Sequence, residues 1–197
     1  MRDLVLASII AFAVPAAAQP AQWRIDPGHS LAQFSVRHMI VSNVRGQFDG
    51  PTGTVVYDPK DPSSLRVEAT LDARTIDTHN PDRDKDLKGP QFFDVEKYPA
   101  IRFTSRRTEA RGSGRLRVVG DLTIRGVTKE VALDVEGPTP EVLDIWGERR
   151  IGATATTVLD RRDFGIVYNR LLEGGGAVIG DQVTITIDLE LSRKAKE

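Results

Sequence analysis

The amino-acid sequence predicts an all-β protein in which antiparallel strands form either a sandwich or a barrel. Apolar and polar residues alternate in several segments, and this period of two is typical of half-buried strands. Turn-forming residues, such as Asp-Gly-Pro at 49–51 and Gly-Ser-Gly at 112–114, separate these segments. Because little helix is predicted between the strands, neighbouring strands are expected to pair through hairpins.

The alternation is clearest near the end of the chain, in the segment 183–191. Every second residue there is apolar, and the residues between them are threonines or carboxylates. The same pattern predicts strands within 66–73, 100–105, 131–137 and 151–160. The apolar face of these strands is expected to point inward, and in the first two of the four it consists of Val67, Ala69, Leu71, Ile101 and Phe103.

One segment, 79–93, departs from this pattern and predicts a short helix. Asn80 is a favourable N-cap, and Pro81 suits the first helical position. Gly89 and Pro90 follow and would end the helix. A single short helix among many strands suggests a lid over one end of a barrel.

The first residues of the chain have the features of a targeting segment. Leu4 to Val14 form an apolar run that is too short to span a bilayer, and small residues follow at 16–18. We therefore predict a signal peptide at 1–18, a single mature domain at 19–197 and export to the periplasm. The sequence contains no cysteine, which excludes disulfides, cysteine–zinc sites and a cysteine nucleophile.

The charge balance argues against some classes of partner. With 27 basic and 28 acidic residues, the formal net charge is -1, which does not favour nucleic acid or an anionic membrane surface as the main partner. The three histidines, His29, His38 and His79, do not have the spacing of paired metal ligands. We therefore predict neither a nucleic-acid partner nor a metal site.

The segment 25–38 places a serine beside a histidine, which raises the question of a catalytic nucleophile. Ser30 precedes a strand, whereas a hydrolase serine stands in a Gly-x-Ser-x-Gly turn between a strand and a helix. His29 is its direct neighbour, so on an extended chain the two side chains point to opposite faces. We therefore predict no catalytic residue here and expect Asp26, His29 and Ser30 to bond to local backbone.

The strand that follows Ser30 predicts an inward face made of Ala32, Phe34, Val36 and His38. The ring of His38 on this apolar face has two explanations. It is either a core histidine satisfied by a carbonyl or a carboxylate, or a polar contact for a ligand inside a pocket. The sequence leaves both open.

Five motifs follow one another along the mature chain. They are WRIDPGHSLAQFSVRH (23–38), VRGQF (44–48), DRDKDLKGPQFFDVEKYPAIRF (82–103), VVGDLTIRGVTKEVAL (118–133) and LDRRDFGI (159–166). In this order the motifs resemble the YceI-like family of polyisoprenoid-binding, lipocalin-like periplasmic proteins. The resemblance implies an eight-stranded antiparallel lipocalin-like barrel with the short helix near its mouth. It also implies an elongated hydrophobic cavity that holds a long-chain amphiphile, such as an isoprenoid quinone or a polyprenyl phosphate.

The alternation and the resemblance together predict a set of ligand-binding residues on the inner face and around the helix. The set is Phe34, Val36, His38, Val67, Ala69, Leu71, Arg83, Asp84, Leu87, Phe92, Phe93, Ile101, Phe103, Arg161 and Phe164.

The sequence thus predicts a periplasmic carrier or binding protein for a long-chain lipid. No cofactor is expected to be required, and a bound isoprenoid or fatty amphiphile is expected in the cavity. Two alternatives stay open: an enzyme acting on such a lipid through His38, Arg83, Asp84 or Arg161, and a quinone-linked adaptor for a membrane redox protein. A transient membrane contact and a homodimer are further open possibilities.

Overall fold

The computed structural model describes residues 20–195, so the predicted signal peptide at 1–18 and its cleavage site lie outside the described residues. These residues form eleven strands and one α-helix, α1, at Pro81–Lys88. The strands are β1 (Ala21–Ile25), β2 (Leu31–His38), β3 (Ser42–Phe48), β4 (Thr52–Asp58), β5 (Asp61–Asp72), β6 (Ala100–Ala110), β7 (Arg115–Ile124), β8 (Val127–Glu136), β9 (Val142–Leu143), β10 (Glu148–Asp160) and β11 (Ile179–Lys194). Short 3₁₀ helices lie at Pro27–His29, Ala73–Thr75 and Arg161–Phe164.

Eight of these strands form a closed antiparallel barrel. The order around the barrel is β11-β1-β4-β5-β6-β7-β8-β10, and β10 pairs again with β11. The closing ladder is long and regular, running from Glu148 opposite Lys194 to Asp160 opposite Gln182. The predicted all-β, eight-stranded barrel is therefore confirmed, as are the five strands predicted from alternation.

The long β11 changes partner along its length. Near its end it pairs with the short β1, whereas its first half pairs with β2, which in turn pairs with β3. The β2–β3 hairpin therefore extends the barrel wall at one end. We call this end the mouth: it carries α1, the turns 39–41 and 125–126, and the segment 161–178. The opposite end, which we call the far end, carries the turns 59–60 and 111–114 and the loop 137–147.

The helix begins and ends as its sequence predicts. The Asn80 side chain accepts a hydrogen bond from the N–H of Arg83 at 3.0 Å, and Pro81 occupies the first turn. Gly89 follows the last helical residue and donates its N–H to Asp86 O at 3.0 Å. Because β5 ends at Asp72 opposite Ala100, where β6 starts, the helix between these strands lies at the mouth.

The core divides into two clusters of buried residues inside the barrel. The larger cluster lies toward the far end and includes Trp23, Ile25, Val55, Leu65, Leu116, Val118, Ile151 and Leu191. The smaller one lies toward the mouth and consists of Ala32, Phe48 and Ile76, with Phe34, Leu71, Leu87 and Phe93 packed against it. Among residues 20–195, no helix has both the length and the apolar character needed to cross a membrane.

Candidate functional site

The lumen of the barrel contains two adjoining cavities. The one nearer the mouth has a volume of about 200 Å³, and the deeper one has a volume of about 130 Å³. We call them the upper and lower chambers. They share several wall residues, namely Ala32, Leu71, Ile101, Phe103, Leu122, Leu133 and Ile187. The chambers therefore adjoin each other along the barrel axis, and both have almost entirely apolar walls.

The upper chamber is lined almost entirely by apolar side chains from β2, β6, β11 and the mouth. Its polar lining residues are Gln33, Thr157 and Arg161. Aromatic rings form one wall: Phe34 and Phe48 lie 5.8 Å apart between ring centroids, and Phe48 meets Phe93 edge-on at 5.6 Å. Such contacts give the chamber a rigid, water-excluding surface.

Small residues leave the lower chamber open. Ala69 of β5 pairs with Gly53 on one neighbouring strand and with Phe103 on the other. Ala153 and Ala155 of β10 line the same chamber from the opposite part of the barrel. Because these side chains are short, the strands enclose space here that larger residues would fill.

Most of the residues predicted from sequence line these chambers. The upper chamber is lined by Phe34, Val36, Leu71, Leu87, Phe92, Phe93, Ile101, Phe103, Arg161 and Phe164. Val67 and Ala69 line the lower chamber. The structure thus brings these twelve side chains together, and their contact with a ligand stays a prediction.

Three predicted site residues, His38, Arg83 and Asp84, do not line either chamber, and their contact with a ligand stays a prediction. His38 is the last residue of β2 and is half-buried, beside the irregular part of the ladder to β11 between Ile179 and Val183. Arg83 and Asp84 of α1 instead hold the loop that precedes the helix.

The partner of both α1 residues is the buried Thr78. Asp84 Oδ1 accepts hydrogen bonds from the Thr78 N–H at 2.9 Å and from its hydroxyl at 2.5 Å. Arg83 donates from Nε to the Thr78 hydroxyl at 2.7 Å and from Nη2 to its carbonyl at 2.8 Å. These bonds fix α1 over the mouth, and they engage Asp84 Oδ1 together with Nε and Nη2 of Arg83.

Arg161 lines the upper chamber, but its guanidinium is bound by protein groups. Nη1 donates to the carbonyls of Ile166 at 2.6 Å and Tyr168 at 2.9 Å, and Nε donates to Gly180 O at 3.0 Å. Nη2 reaches Asp181 Oδ1 at 3.1 Å. Burial lowers the pKa of Arg161 from its ordinary value, and the carboxylate of Asp181 opposes that shift. Arg161 therefore joins the segment after β10 to the start of β11.

Two cap segments close the mouth and are tied together by Arg125. They are 80–99, which contains α1, and 161–168. Arg125 Nη1 donates to Gly165 O at 2.5 Å, and its Nη2 donates to Pro90 O at 2.6 Å. Phe92 and Tyr168, one from each cap segment, contact each other with ring centroids 5.3 Å apart.

Several lining residues were not among those predicted from sequence. They are Ala32, Gln33, Phe48, Leu122, Ile124, Leu133, Thr157, Leu159, Ile166, Ile179, Val183, Ile185 and Ile187 in the upper chamber. The signal for the last three was present, since they belong to the alternating face of β11. Ile166 and Ile179 flank a loop without periodicity, so the sequence offers no pattern that would find them.

The polar residues near Ser30 form an ion-pair network on the outside of the barrel. Ser30 Oγ accepts the N–H of Glu190 at 3.0 Å, and His29 Nδ1 lies 3.0 Å from Asp26 Oδ2. Ligand atoms of Asp26, His29 and Glu190 lie within 4.8 Å of one another, a spacing that suits a metal ion.

The guanidinium of Arg150 occupies this position. It donates to Asp26 Oδ2 at 2.8 Å and also to Glu190 and Asp144. Hydrogen bonds from Arg150 and then from His29 lower the pKa of Asp26 to about 2. The cluster thus already has its own cation, and among the described residues no hydrogen bond joins His29 to Ser30.

A closed antiparallel barrel around an apolar lumen places the protein in the class of lipocalin-like barrels. The family model described as the YceI-like domain matches residues 23–191. The chain therefore belongs to the YceI-like family.

Relatives and solved structures agree with this assignment. A UPF0312 protein of Staphylococcus aureus (strain N315) is 36% identical over 169 residues, which cover 85% of this chain and 95% of the relative. A UPF0312 protein of Vibrio vulnificus (strain YJ016) is 35% identical over 174 residues, covering 84% and 89%.

Among solved structures, BcnA of Burkholderia cenocepacia is similar with a TM-score of 0.69 at 20% identity, covering 84% of this chain and 98% of that one. A polyisoprenoid binding domain from Saccharophagus degradans is similar with a TM-score of 0.60 at 14% identity, covering 86% and 97%. At these identities the two structures establish a shared fold.

Proposed function

We propose that this protein is a periplasmic carrier that binds a long-chain isoprenoid or a similar amphiphile, of the quinone or polyprenyl phosphate class. The observation that carries the proposal is the pair of adjoining apolar chambers in the lumen. Within residues 20–195, Arg161 is the single charged residue that lines the chambers, and its guanidinium donates to protein oxygens, so the walls offer an apolar tail few competing polar groups. The polyisoprenoid-binding description of the Saccharophagus degradans domain supports the same ligand class.

The energetics of burial favour a prenyl tail. Each buried methylene contributes about 0.8 kcal/mol, so an isoprene unit contributes roughly 3–4 kcal/mol before ordering costs. Two to three enclosed units would reach the roughly 8–12 kcal/mol of micromolar to nanomolar binding. No polar contact is needed to reach this affinity.

The dimensions of the lumen set how much of a tail is enclosed. Chambers of about 200 and 130 Å³ together reach the lower end of the roughly 300–1,000 Å³ typical of ligand pockets. A tail of a few units would fill this space, and the rest of a longer ligand, with its headgroup, would lie at the mouth. We therefore expect selection by tail length and girth rather than by headgroup.

A carrier role fits the predicted location. The signal peptide expected at 1–18 would export the chain to the periplasm, where a free prenyl lipid is nearly insoluble. The enzymatic alternative is less well supported, because His38, Arg83 and Asp84 lie outside the chamber walls. The adaptor alternative rests on no contact among the described residues.

The test is to identify what the protein holds. The mature chain is purified after export, extracted with organic solvent, and the extract is analysed by mass spectrometry. We expect a stoichiometric isoprenoid or fatty amphiphile. An empty extract, together with no uptake of added ubiquinone or farnesyl phosphate, would refute the proposal.

A further inference from the structure

The mouth of the barrel exposes a patch of apolar side chains on two loops. The turn between β2 and β3 presents Met39, Ile40 and Val41 to solvent, and the side chain of Val41 is 77% exposed. The neighbouring hairpin within 170–178 presents Leu171, which is 85% exposed. We call these four residues the mouth patch. Exposed apolar patches of this kind mark surfaces that contact a protein or a membrane.

The patch is held in place by specific contacts. Met39 and Ile40 have φ angles of 49° and 66°, in the left-handed region that residues with a side chain rarely adopt. The Met39 N–H donates to Val178 O at 2.8 Å, and Arg37 Nε donates to Ile40 O at 3.0 Å. The Ile40 side chain packs over Gly176, where a β-carbon would lie 2.7 Å from its Cδ1 atom. The two loops thus form one surface.

Unpaired basic residues accompany the mouth patch. Arg37, Arg45 and Arg170 are exposed, and within residues 20–195 none of them has a carboxylate within salt-bridge distance. The far end differs, although it also exposes apolar side chains: Ile145 is 88% and Trp146 is 74% exposed. The arginines there are neutralised, because Arg149, Arg150 and Arg193 pair with Glu141, Asp144 and Glu190.

The mouth patch also lies close to residues that line the upper chamber. Val36 and Ile179 line that chamber, and each lies within a few residues of the loops that carry the patch. His38 pairs with Ile179 at the point where the wall gives way to the two loops. A surface that docked on the patch would therefore lie beside the mouth, the end of the barrel that holds the upper chamber.

From the apolar tips, the unpaired arginines and the adjoining chamber, we propose that the mouth patch docks on the surface of a lipid bilayer that contains anionic lipids. The inference rests on the proposed function, since docking there would let a tail pass between bilayer and barrel without crossing water. The net charge of -1 is compatible with it, because the β2–β3 hairpin and the segment 170–178 together carry three arginines and a single carboxylate, Glu173. The apolar side chains of the mouth patch would insert into the bilayer interface, and the arginines would be attracted to anionic headgroups.

The test is co-sedimentation of the mature protein with vesicles of phosphatidylcholine alone or of phosphatidylcholine mixed with phosphatidylglycerol. We expect binding to the mixed vesicles that weakens as salt is raised. Val41→Asp combined with Leu171→Asp should lower the partition by about tenfold or more, since apolar insertion is replaced by burial of charge. Arg45→Gln and Arg170→Gln should each lower binding to the mixed vesicles about fivefold.

The far end provides the matched control. Ile145→Asp combined with Trp146→Asp removes apolar exposure of similar extent, and it should leave vesicle binding unchanged. The docking proposal is overturned if the wild-type protein binds neither kind of vesicle. It is also overturned if the far-end variant (Ile145→Asp with Trp146→Asp) loses vesicle binding while the mouth variant (Val41→Asp with Leu171→Asp) keeps it. Circular dichroism confirms that each variant is folded.

A separate measurement keeps this outcome apart from the proposed function. Uptake of farnesyl phosphate added directly in solution requires the chambers but no membrane. If the protein takes up farnesyl phosphate but does not bind vesicles, the docking inference alone is overturned. If the protein neither takes up farnesyl phosphate nor binds vesicles, both the docking inference and the proposed carrier function are overturned.

Discussion

Substitution of Ala69 by phenylalanine should shorten the tail that the barrel accepts. Ala69 faces the lower chamber from β5, between Gly53 and Phe103 of the neighbouring strands. The chamber volume is about 130 Å³, so a benzyl group at this position would fill much of it. The upper chamber, whose lining does not include Ala69, should keep its shape.

The size of the effect follows from the carbons displaced. Phenylalanine adds about six carbon atoms, and each ligand carbon excluded from the lumen forfeits about 0.8 kcal/mol. The loss for a tail that reaches the lower chamber is therefore at most about 5 kcal/mol, which corresponds to at most roughly a few thousandfold in Kd. A tail short enough to occupy only the upper chamber should keep its affinity.

The assay is a displacement titration with prenyl alcohols of increasing length, from geraniol through farnesol to geranylgeraniol. Wild-type affinity should rise with each unit until the lumen is full, and in Ala69→Phe the rise should stop about one unit earlier. Glu68→Phe is the matched control, because residue 68 is the exposed neighbour on the same strand. The reasoning is refuted if folded Ala69→Phe binds every length as the wild type does, or if the control shows the same loss.

Three further predictions concern the residues that hold the mouth and the ion-pair network. Arg161→Met should lower the free energy of unfolding in urea by about 3 kcal/mol or more, because buried carbonyls lose their donor, whereas exposed Arg162→Met should change it by less than about 1 kcal/mol. Arg125→Ala should speed the exchange of a bound fluorescent lipid about tenfold or more, since it releases both cap segments; an unchanged rate would place the exchange route elsewhere. The pKa of Asp26 is about 2 in the folded state, below its ordinary 3.8, so its stabilising effect is present above about pH 4 and is lost as the pH falls toward 2. In Asp26→Asn, the free energy of unfolding should accordingly fall less steeply than in the wild type between about pH 4 and pH 2. An unchanged slope would contradict the lowered pKa of Asp26.

Local periodicity explains why so much of the fold could be predicted. A strand that is buried on one face alternates in its own sequence, and β5, β10 and β11 do so over long stretches. The inward residues of these strands, such as Val67 and Ala69, were found for that reason. The closure of eight strands into a barrel carried no such local signal and came from the resemblance of the motifs.

Irregular strand pairing limits the prediction of inward-facing residues from alternation. In β7, Val118 and Val119 are both buried, so the period of two is interrupted. The ladder between β6 and β7 shifts register between Ser105 and Arg107, which changes the face that later residues present. A bulge depends on how two strands pair, and neither sequence shows it alone.

The polar residues were harder to place because their partners are backbone atoms. Arg161 is bound mainly by carbonyl oxygens, and every residue has a carbonyl whatever its side chain. Arg83 and Asp84 are bound by Thr78, a buried residue close by in the sequence. Charged residues in the family motifs were expected to contact a ligand, and the structure shows that these three also bind protein groups at the mouth of the barrel.

The engagement of these charges bears on how the barrel would discriminate between ligands. A headgroup that reached Arg161 would have to displace hydrogen bonds to the carbonyls of Ile166 and Tyr168, and a buried acceptor left without a donor costs about 1–3 kcal/mol. A tail gains a similar amount from two or three extra methylenes, with nothing to displace. Tail length therefore dominates selectivity in the lumen, and any preference for a headgroup must arise at the mouth, where Arg37 and Arg170 are exposed. Comparing farnesol with farnesyl phosphate measures that preference directly: the phosphate should add affinity that falls with salt and that is reduced in Arg170→Gln.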